Sequence, residues 1–176
     1  MRFLFQSVDF LHTNKNNKEI AMYTETNKGF TVITNFGCNC NCPYCITKHH
    51  PILQNAITDK DKIDWDYLEQ CISESDAPTI NLSGGGDPFY NWKDNLDFYE
   101  KVYQLALKYN KKLDIHTRIL PDDMSLIQKF RKIALSVEMN DKKAMERLIE
   151  MLPEIEKTTK LRVINVLNER MTKEDC

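Results

Sequence analysis

The stretch Phe30-Thr-Val-Ile-Thr-Asn-Phe-Gly-Cys38-Asn-Cys40-Asn-Cys42-Pro-Tyr-Cys45 joins an apolar, β-branched segment to four closely spaced cysteines. β-branched and aromatic residues favour strands, so Phe30–Thr34 is predicted to form one. The cysteines therefore follow the carboxyl end of a strand. Three of them, Cys38, Cys42 and Cys45, have the spacing C-x3-C-x2-C, and this spacing predicts a loop that binds a metal or a cluster.

Strand and helix patterns alternate along the chain after this loop. The predicted strands are Thr79–Ser83, Leu113–Ile119, Ile133–Met139 and Leu161–Leu167, and the predicted helices are Asp64–Glu74, Trp92–Tyr109, Asp122–Arg131 and Asp141–Leu152. We expect Asn91 to cap the second of these helices, Pro121 to open the third, and Pro153 to stop or kink the fourth. Alternation at this spacing predicts an α/β fold, in which right-handed βαβ units form a parallel sheet with helices outside.

The chain before the cysteine loop has a different pattern. Arg2–Phe10 and Glu19–Thr26 are plausible strands, separated by the Asn- and Lys-rich segment His12–Lys18, which is typical of a turn. We therefore expect one domain over residues 1–176, with an N-terminal strand pair in residues 1–27 and the main α/β unit in residues 28–167.

Composition limits the possible classes of function. The 176 residues carry a net charge of −2, so no overall basic field indicates a nucleic acid or an anionic membrane as partner. No signal peptide is evident, and no apolar stretch approaches the roughly 20 residues of a membrane span. We expect a cytoplasmic protein. In a reducing cytoplasm, clustered thiols bind metals or take part in redox chemistry rather than forming disulfides.

Two kinds of metal chemistry fit the cysteine loop. A structural zinc site usually takes two separate cysteine pairs, because four ligands must surround a tetrahedral ion. Four cysteines within eight residues leave little chain for that arrangement. An iron–sulfur cube is larger, and three cysteines on one loop can hold three of its irons while the fourth iron stays open. A non-catalytic module that holds zinc through Cys38, Cys40, Cys42 and Cys45 remains the alternative.

A glycine-rich turn, Ser83-Gly84-Gly85-Gly86-Asp87-Pro88, follows the second predicted strand of the α/β unit. In parallel sheets, ligands bind at the carboxyl ends of the strands. We therefore expect the glycine turn and the cysteine loop to lie on one rim, although 38 residues separate Cys45 from Gly84.

Over roughly residues 28–167, these motifs resemble the radical S-adenosylmethionine enzymes. The resemblance implies that Cys38, Cys42 and Cys45 bind a 4Fe–4S cluster, with Cys40 as a non-ligand. The turn resembles the Gly-Gly-Glu-Pro segment of that superfamily, which approaches the amino group of S-adenosylmethionine. It implies cofactor binding by Ser83, Gly84, Gly85, Gly86 and Asp87, with Asp87 in place of the usual glutamate. The implied fold is a partial parallel (β/α) barrel of about five to six strands.

Further residues are candidate cofactor contacts. Tyr44 would flank the cluster and exclude water, and Pro43 would open a helix whose N–H groups face the cluster. His116 and Arg118 alternate on one strand and should share a face. They would meet substrate or the carboxylate of S-adenosylmethionine, unless they form a structural pair. In the superfamily, residues placed like Ser136 and Glu138 often meet the ribose or the methionine carboxylate.

The resemblance also implies an activity, an oxidoreductase reaction of the radical type. S-adenosylmethionine is cleaved reductively to a 5′-deoxyadenosyl radical, which abstracts a hydrogen atom from a substrate. The electron comes from a low-potential donor similar to flavodoxin or ferredoxin. Small size is typical of enzymes that activate glycyl-radical proteins, yet the glycine- and proline-rich segment that usually precedes their cluster strand is missing from residues 19–36. A small molecule or nucleoside is an equal alternative as substrate.

Overall fold

The computed structural model describes residues 22–40, 42, 45–49, 58–137 and 141–165. Its strands are β1 (Met22–Thr26), β2 (Gly29–Ile33), β3 (Thr79–Leu82), β4 (Lys112–Thr117), β5 (Lys132–Val137) and β6 (Lys160–Asn165). Its α-helices are α1 (Ile46–His49), α2 (Trp65–Glu74), α3 (Leu96–Lys108), α4 (Met124–Ile127) and α5 (Lys142–Ile155), with 3₁₀ turns at Lys60–Lys62 and Trp92–Asn95.

The six strands form one sheet in the order β1-β2-β3-β4-β5-β6. Strands β2 to β6 are all parallel, with Ile80 opposite Leu113 and Ile115 opposite Ile133. The predicted α/β class and its five parallel strands are therefore confirmed. Strand β1 pairs antiparallel with β2, so part of the predicted strand Glu19–Thr26 is found along that edge. Arg2–Phe10 and the rest of the N-terminal pair lie outside the described residues.

The sequential strand order decides where the helices lie. Right-handed crossovers that always advance in one direction place their helices on the same face of the sheet. Alternate strand residues such as Ile80, Leu82, Ile115 and Ile133 are fully or almost fully buried and belong to the same apolar core as helix residues. Asn81, His116 and Ser136, at the intervening positions, keep part of their surface exposed. The sheet thus has an apolar face under helices and a more polar face that carries the site.

The second long helical segment starts at Trp92 as predicted, but its first turn is 3₁₀ and the predicted cap by the Asn91 side chain is wrong. Asn91 has a left-handed backbone with φ 49° and makes no capping hydrogen bond through its side chain. The 3₁₀ turn Trp92–Asn95 follows it, and α3 begins only at Leu96. The Asn95 side chain donates to the Asn91 carbonyl at 3.1 Å and is itself buried. The 3₁₀ turn allows the Asn95 amide to be buried while it is hydrogen-bonded to the Asn91 carbonyl. This requirement of a buried polar group outweighs the local helical pattern.

Two other helix ends also differ from the prediction. Helix α4 covers only Met124–Ile127, because i+3 bonds from Lys129 and Phe130 tighten the chain and bury the Phe130 ring completely. Pro121 lies outside this helix, and Asp123 caps it. Helix α5 continues past Pro153 to Ile155, so Pro153 does not stop it, and the alternative of a kink stays a prediction. Ile155 is fully buried, and the packing of this last turn offsets the hydrogen bond that proline cannot make.

Within the described parts of the chain, no helix combines the length and the apolar character needed to cross a membrane.

Candidate functional site

A cavity of about 630 Å³ opens where β2, β3, β4 and β5 end. Its lining includes all the predicted site residues that the structure describes: Cys38, Cys42, Cys45, Ser83, Gly84, Gly85, Gly86, Asp87, His116, Arg118 and Ser136. The prediction that the cysteine loop and the glycine turn share one rim is confirmed. Tyr44 and Glu138 lie outside the described residues. The volume is in the range of cavities that hold cofactor-sized ligands.

Backbone hydrogen bonds join the glycine turn to the loop after β2. The Gly86 N–H donates to the Thr34 carbonyl, and the Asp87 N–H donates to the Gly37 carbonyl, both at 3.1 Å. A Cβ atom on Gly86 would lie 2.4 Å from the Gly37 oxygen, so only glycine allows this approach. Gly85 adds a left-handed backbone with φ 57°. The glycines are therefore explained by the close contact of two loops at the cavity wall.

Asp87 joins the glycine turn to β4. Its Oδ1 accepts hydrogen bonds from the Phe89 N–H at 2.9 Å and from the Thr117 hydroxyl at 2.6 Å. Its Oδ2 accepts from the Arg118 N–H at 2.6 Å. The residue is only 6% exposed. The sequence predicted a cofactor contact here, and the structure shows that both carboxylate oxygens already bind the protein. Asp87 is therefore placed to position the turn.

The far end of the glycine turn is anchored in the apolar core. The Tyr99 hydroxyl donates to the Pro88 carbonyl at 2.6 Å. The fully buried Phe89 ring makes edge-on contacts with Tyr99 and Phe130, at centroid distances of 5.5 and 5.3 Å. Burial raises the pKa of Tyr99 well above its usual range, so its hydroxyl stays protonated and can donate. The turn is thus fixed on both sides.

Two backbone hydrogen bonds connect three of the described cysteines of the loop. The Cys42 N–H donates to the Cys40 carbonyl at 2.8 Å, and the Cys45 N–H donates to the Cys42 carbonyl at 3.3 Å. Helix α1 begins at Ile46 and has only four residues. The predicted helix from Pro43 would include Cys45, but Cys45 precedes α1. Pro43 itself lies outside the described residues. Cys42 and Cys45 both line the cavity.

The donor set fits an iron–sulfur cluster. All four cysteines of the loop, Cys38, Cys40, Cys42 and Cys45, line one cavity, and thiolates are the usual ligands of such clusters. Among the residues that the structure describes, no three His, Cys, Asp or Glu side chains converge as ligands for a single metal ion. A cluster does not require such convergence, because each thiolate binds a different iron.

Cys40 lies between two predicted ligands, Cys38 and Cys42. Burial, together with the neighbouring Cys38, raises the pKa of its thiol to about 11. Its backbone N–H lies 3.3 Å from the Cys38 sulfur, and its own thiol lies 3.5 Å from the Asn39 side-chain oxygen. Cys40 lines the same cavity as the other three cysteines, and its role as a non-ligand stays a prediction.

His116 and Arg118 both line the cavity, but they contact different elements. The His116 Nε2 lies 2.9 Å from the Ser136 hydroxyl on β5. The Arg118 guanidinium donates to the Cys42 sulfur at 3.0 Å. These two contacts go to different residues and do not join His116 to Arg118, and the alternative of a structural pair stays a prediction. His116 pairs with the predicted site residue Ser136, and Arg118 reaches a predicted cluster ligand.

The electrostatic setting of His116 leads to a pH prediction. Burial away from water lowers the pKa of His116 below the ordinary 6.5. The negative charge of Asp87 opposes this shift, and the positive charge of Arg162 adds to it. The folded state thus binds this proton less readily than the unfolded state does. The contribution of His116 to the free energy of unfolding is therefore fully present above pH 6.5. It is lost as the pH falls through the lower pKa that His116 has in the folded state. We expect the wild type to lose more stability than His116→Gln between about pH 7 and pH 5, measured by urea unfolding.

Carboxylates titrate in both proteins and cancel in this comparison. A stability difference that stays constant over the same pH range would contradict the lowered pKa, and an NMR titration of the His116 ring gives a direct check.

The structure adds cavity residues that the sequence did not single out. Thr117 is buried and donates to Asp87, Asn35 lies beside Gly86, and Lys48 lines the cavity from α1. The signal for Thr117 was a hydroxyl in an otherwise apolar position at a strand end. Asn35 and Lys48 carried no such signal, since each is an ordinary polar residue in a loop or short helix.

In comparisons with known proteins, no family model, no curated protein and no solved structure matches this chain.

Proposed function

We propose that this protein is a radical S-adenosylmethionine enzyme. The observation that carries the proposal is the shared cavity. The cysteines with C-x3-C-x2-C spacing and the glycine turn lie 38 residues apart in sequence and line the same cavity at the carboxyl ends of the strands. A cluster bound by the cysteines and a cofactor bound by the glycine turn would therefore lie next to each other in this cavity.

The sheet supports a partial (β/α) barrel as the proposed architecture. Five parallel strands follow one another in sequence order without reversal. A doubly wound sheet would reverse its order and place the ligand at the switch point. A barrel-type sheet places it at the carboxyl ends of several successive strands, and the cavity is found there.

Each part of the cavity has a proposed role. Cys38, Cys42 and Cys45 would hold a 4Fe–4S cluster, which supplies the electron for reductive cleavage of S-adenosylmethionine when it is bound. The glycine turn presents backbone without side chains, which suits close approach by the methionine amino group. The neutral imidazole of His116 and the Ser136 hydroxyl offer hydrogen bonds to cofactor or substrate.

The partners follow from this chemistry. A low-potential donor similar to flavodoxin or ferredoxin would supply electrons, and the oxygen-sensitive thiol site fits a reducing compartment such as the cytoplasm. The substrate is either a glycyl-radical protein or a small molecule such as a nucleoside. Tyr44 and Glu138 remain candidate cofactor contacts.

Anaerobic reconstitution tests the proposal. The purified chain is incubated with ferrous iron, sulfide and a thiol reductant, and then with S-adenosylmethionine and dithionite. We expect about four irons and four sulfides per chain, and cleavage to methionine and 5′-deoxyadenosine detected by mass spectrometry. A colourless protein that holds one zinc ion and leaves S-adenosylmethionine intact would overturn the proposal in favour of the zinc module.

A further inference from the structure

Contacts of both the backbone and the side chain position Arg118 at the end of β4. Its backbone N–H donates to the Asp87 carboxylate at 2.6 Å. Its guanidinium Nη1 donates to the Cys42 sulfur at 3.0 Å, across 76 residues of sequence. The residue is half-buried at the cavity wall. The backbone contact fixes the position of the Arg118 main chain, and the guanidinium group contacts the Cys42 sulfur.

A guanidinium that donates to a thiolate has a predictable effect on a cluster. Hydrogen bonds to the sulfurs and the net charge around the site both set the reduction potential. Reduction adds one electron and therefore one negative charge to the cluster. A nearby cation stabilises this more negative form more than the oxidised form, because the Coulomb attraction grows with the charge. The contact should therefore raise the potential.

We propose that Arg118 is a positioning residue that raises the reduction potential of the cluster through its hydrogen bond to the Cys42 sulfur. This inference rests on the proposed function, since it requires a cluster on Cys42. It differs from the expectation drawn from the sequence, in which Arg118 meets substrate or the carboxylate of S-adenosylmethionine.

The cavity contains a second cation that serves as a matched control. The Lys48 ammonium donates to the backbone carbonyl of Cys42 at 3.1 Å. Lys48 and Arg118 thus approach the same cysteine, one at its carbonyl and the other at its sulfur. Arg118→Met and Lys48→Met each remove one positive charge from the cavity. Only the first removes a donor to the predicted ligand atom.

The experiment is an anaerobic redox titration of the reconstituted wild type and of the Arg118→Met, Arg118→Lys and Lys48→Met variants, followed by the EPR signal of the reduced cluster. We expect Arg118→Met to lower the potential by an amount that corresponds to about a tenfold change in the equilibrium constant, ~59 mV for one electron. Arg118→Lys should restore part of the shift, and Lys48→Met should change the potential less than Arg118→Met does. Iron content and circular dichroism spectra are recorded for each protein.

The outcomes separate the inference from the proposed function. If the wild type binds no cluster, both are overturned. If the wild type binds a cluster and Arg118→Met leaves its potential unchanged, the inference alone is overturned. Equal shifts in Arg118→Met and Lys48→Met would also overturn it, because they would reflect cavity charge rather than the bond to sulfur. Loss of the cluster in both Arg118 variants would assign Arg118 to loop structure and overturn the inference as well.

Discussion

Replacement of Cys42 by alanine is expected to abolish both cluster binding and cleavage of S-adenosylmethionine. Cys42 is the middle ligand of the proposed set, and its carbonyl accepts a hydrogen bond from the Cys45 N–H. Its sulfur is also the acceptor for Arg118. Under the proposed function the loop holds three irons, and two cysteines cannot do so. Iron and sulfide analysis after anaerobic reconstitution should fall from about four of each to a background level, and 5′-deoxyadenosine should not form.

Cys40→Ala is the matched control for this variant. It removes a thiol from the same loop, two residues away, and it should keep the cluster and the cleavage reaction. If both variants lost the metal equally, all four cysteines would act as ligands, and the zinc module would become the better description.

Replacement of Asp87 by asparagine is expected to destabilise the protein by roughly 3 kcal/mol, because a buried donor is then left facing another donor. In one orientation of the asparagine amide, its NH₂ group faces the Arg118 N–H. In the other orientation, it faces the Phe89 N–H and the Thr117 hydroxyl. Such a loss is a large part of the 5–15 kcal/mol that stabilises a typical domain. Urea unfolding should show a lower midpoint.

Asp61→Asn provides the comparison. The Asp61 side chain is 82% exposed, and it lies 3.6 Å from Lys60, so its removal should leave the unfolding midpoint nearly unchanged. An unfolding midpoint for Asp87→Asn as high as that of Asp61→Asn would show that the Asp87 contacts contribute little. Asp87 would then be free to serve as a cofactor contact, as the resemblance first implied.

The parts of the fold that the sequence predicted are those encoded by local patterns. The apolar, β-branched segments from Phe30 to Val163 predicted five parallel strands, and the bounds agree within a few residues. The cysteine spacing and the glycine turn were visible as motifs, and the rule that parallel strands end on one edge was enough to bring them together. None of these steps required a contact between particular side chains.

The helix errors had a common cause. The patterns around Asn91, Asp122–Arg131 and Pro153 are ambiguous when only local propensity is considered. Burial of Asn95, Phe130 and Ile155 decided each boundary, and that burial depends on neighbours that are distant in sequence. Tertiary packing therefore overrode a weak local preference.

By itself, the sequence determined the alternation of strands and helices, the cysteine spacing and the meeting of two loops at one rim. Only the tertiary structure decided the roles of single side chains at that rim. It showed Asp87 bonded to Thr117 across 30 residues and Arg118 bonded to the Cys42 sulfur across 76. Strand periodicity specifies the face on which a side chain lies, whereas a hydrogen-bond partner depends on atomic distances between elements that only the packed sheet brings together.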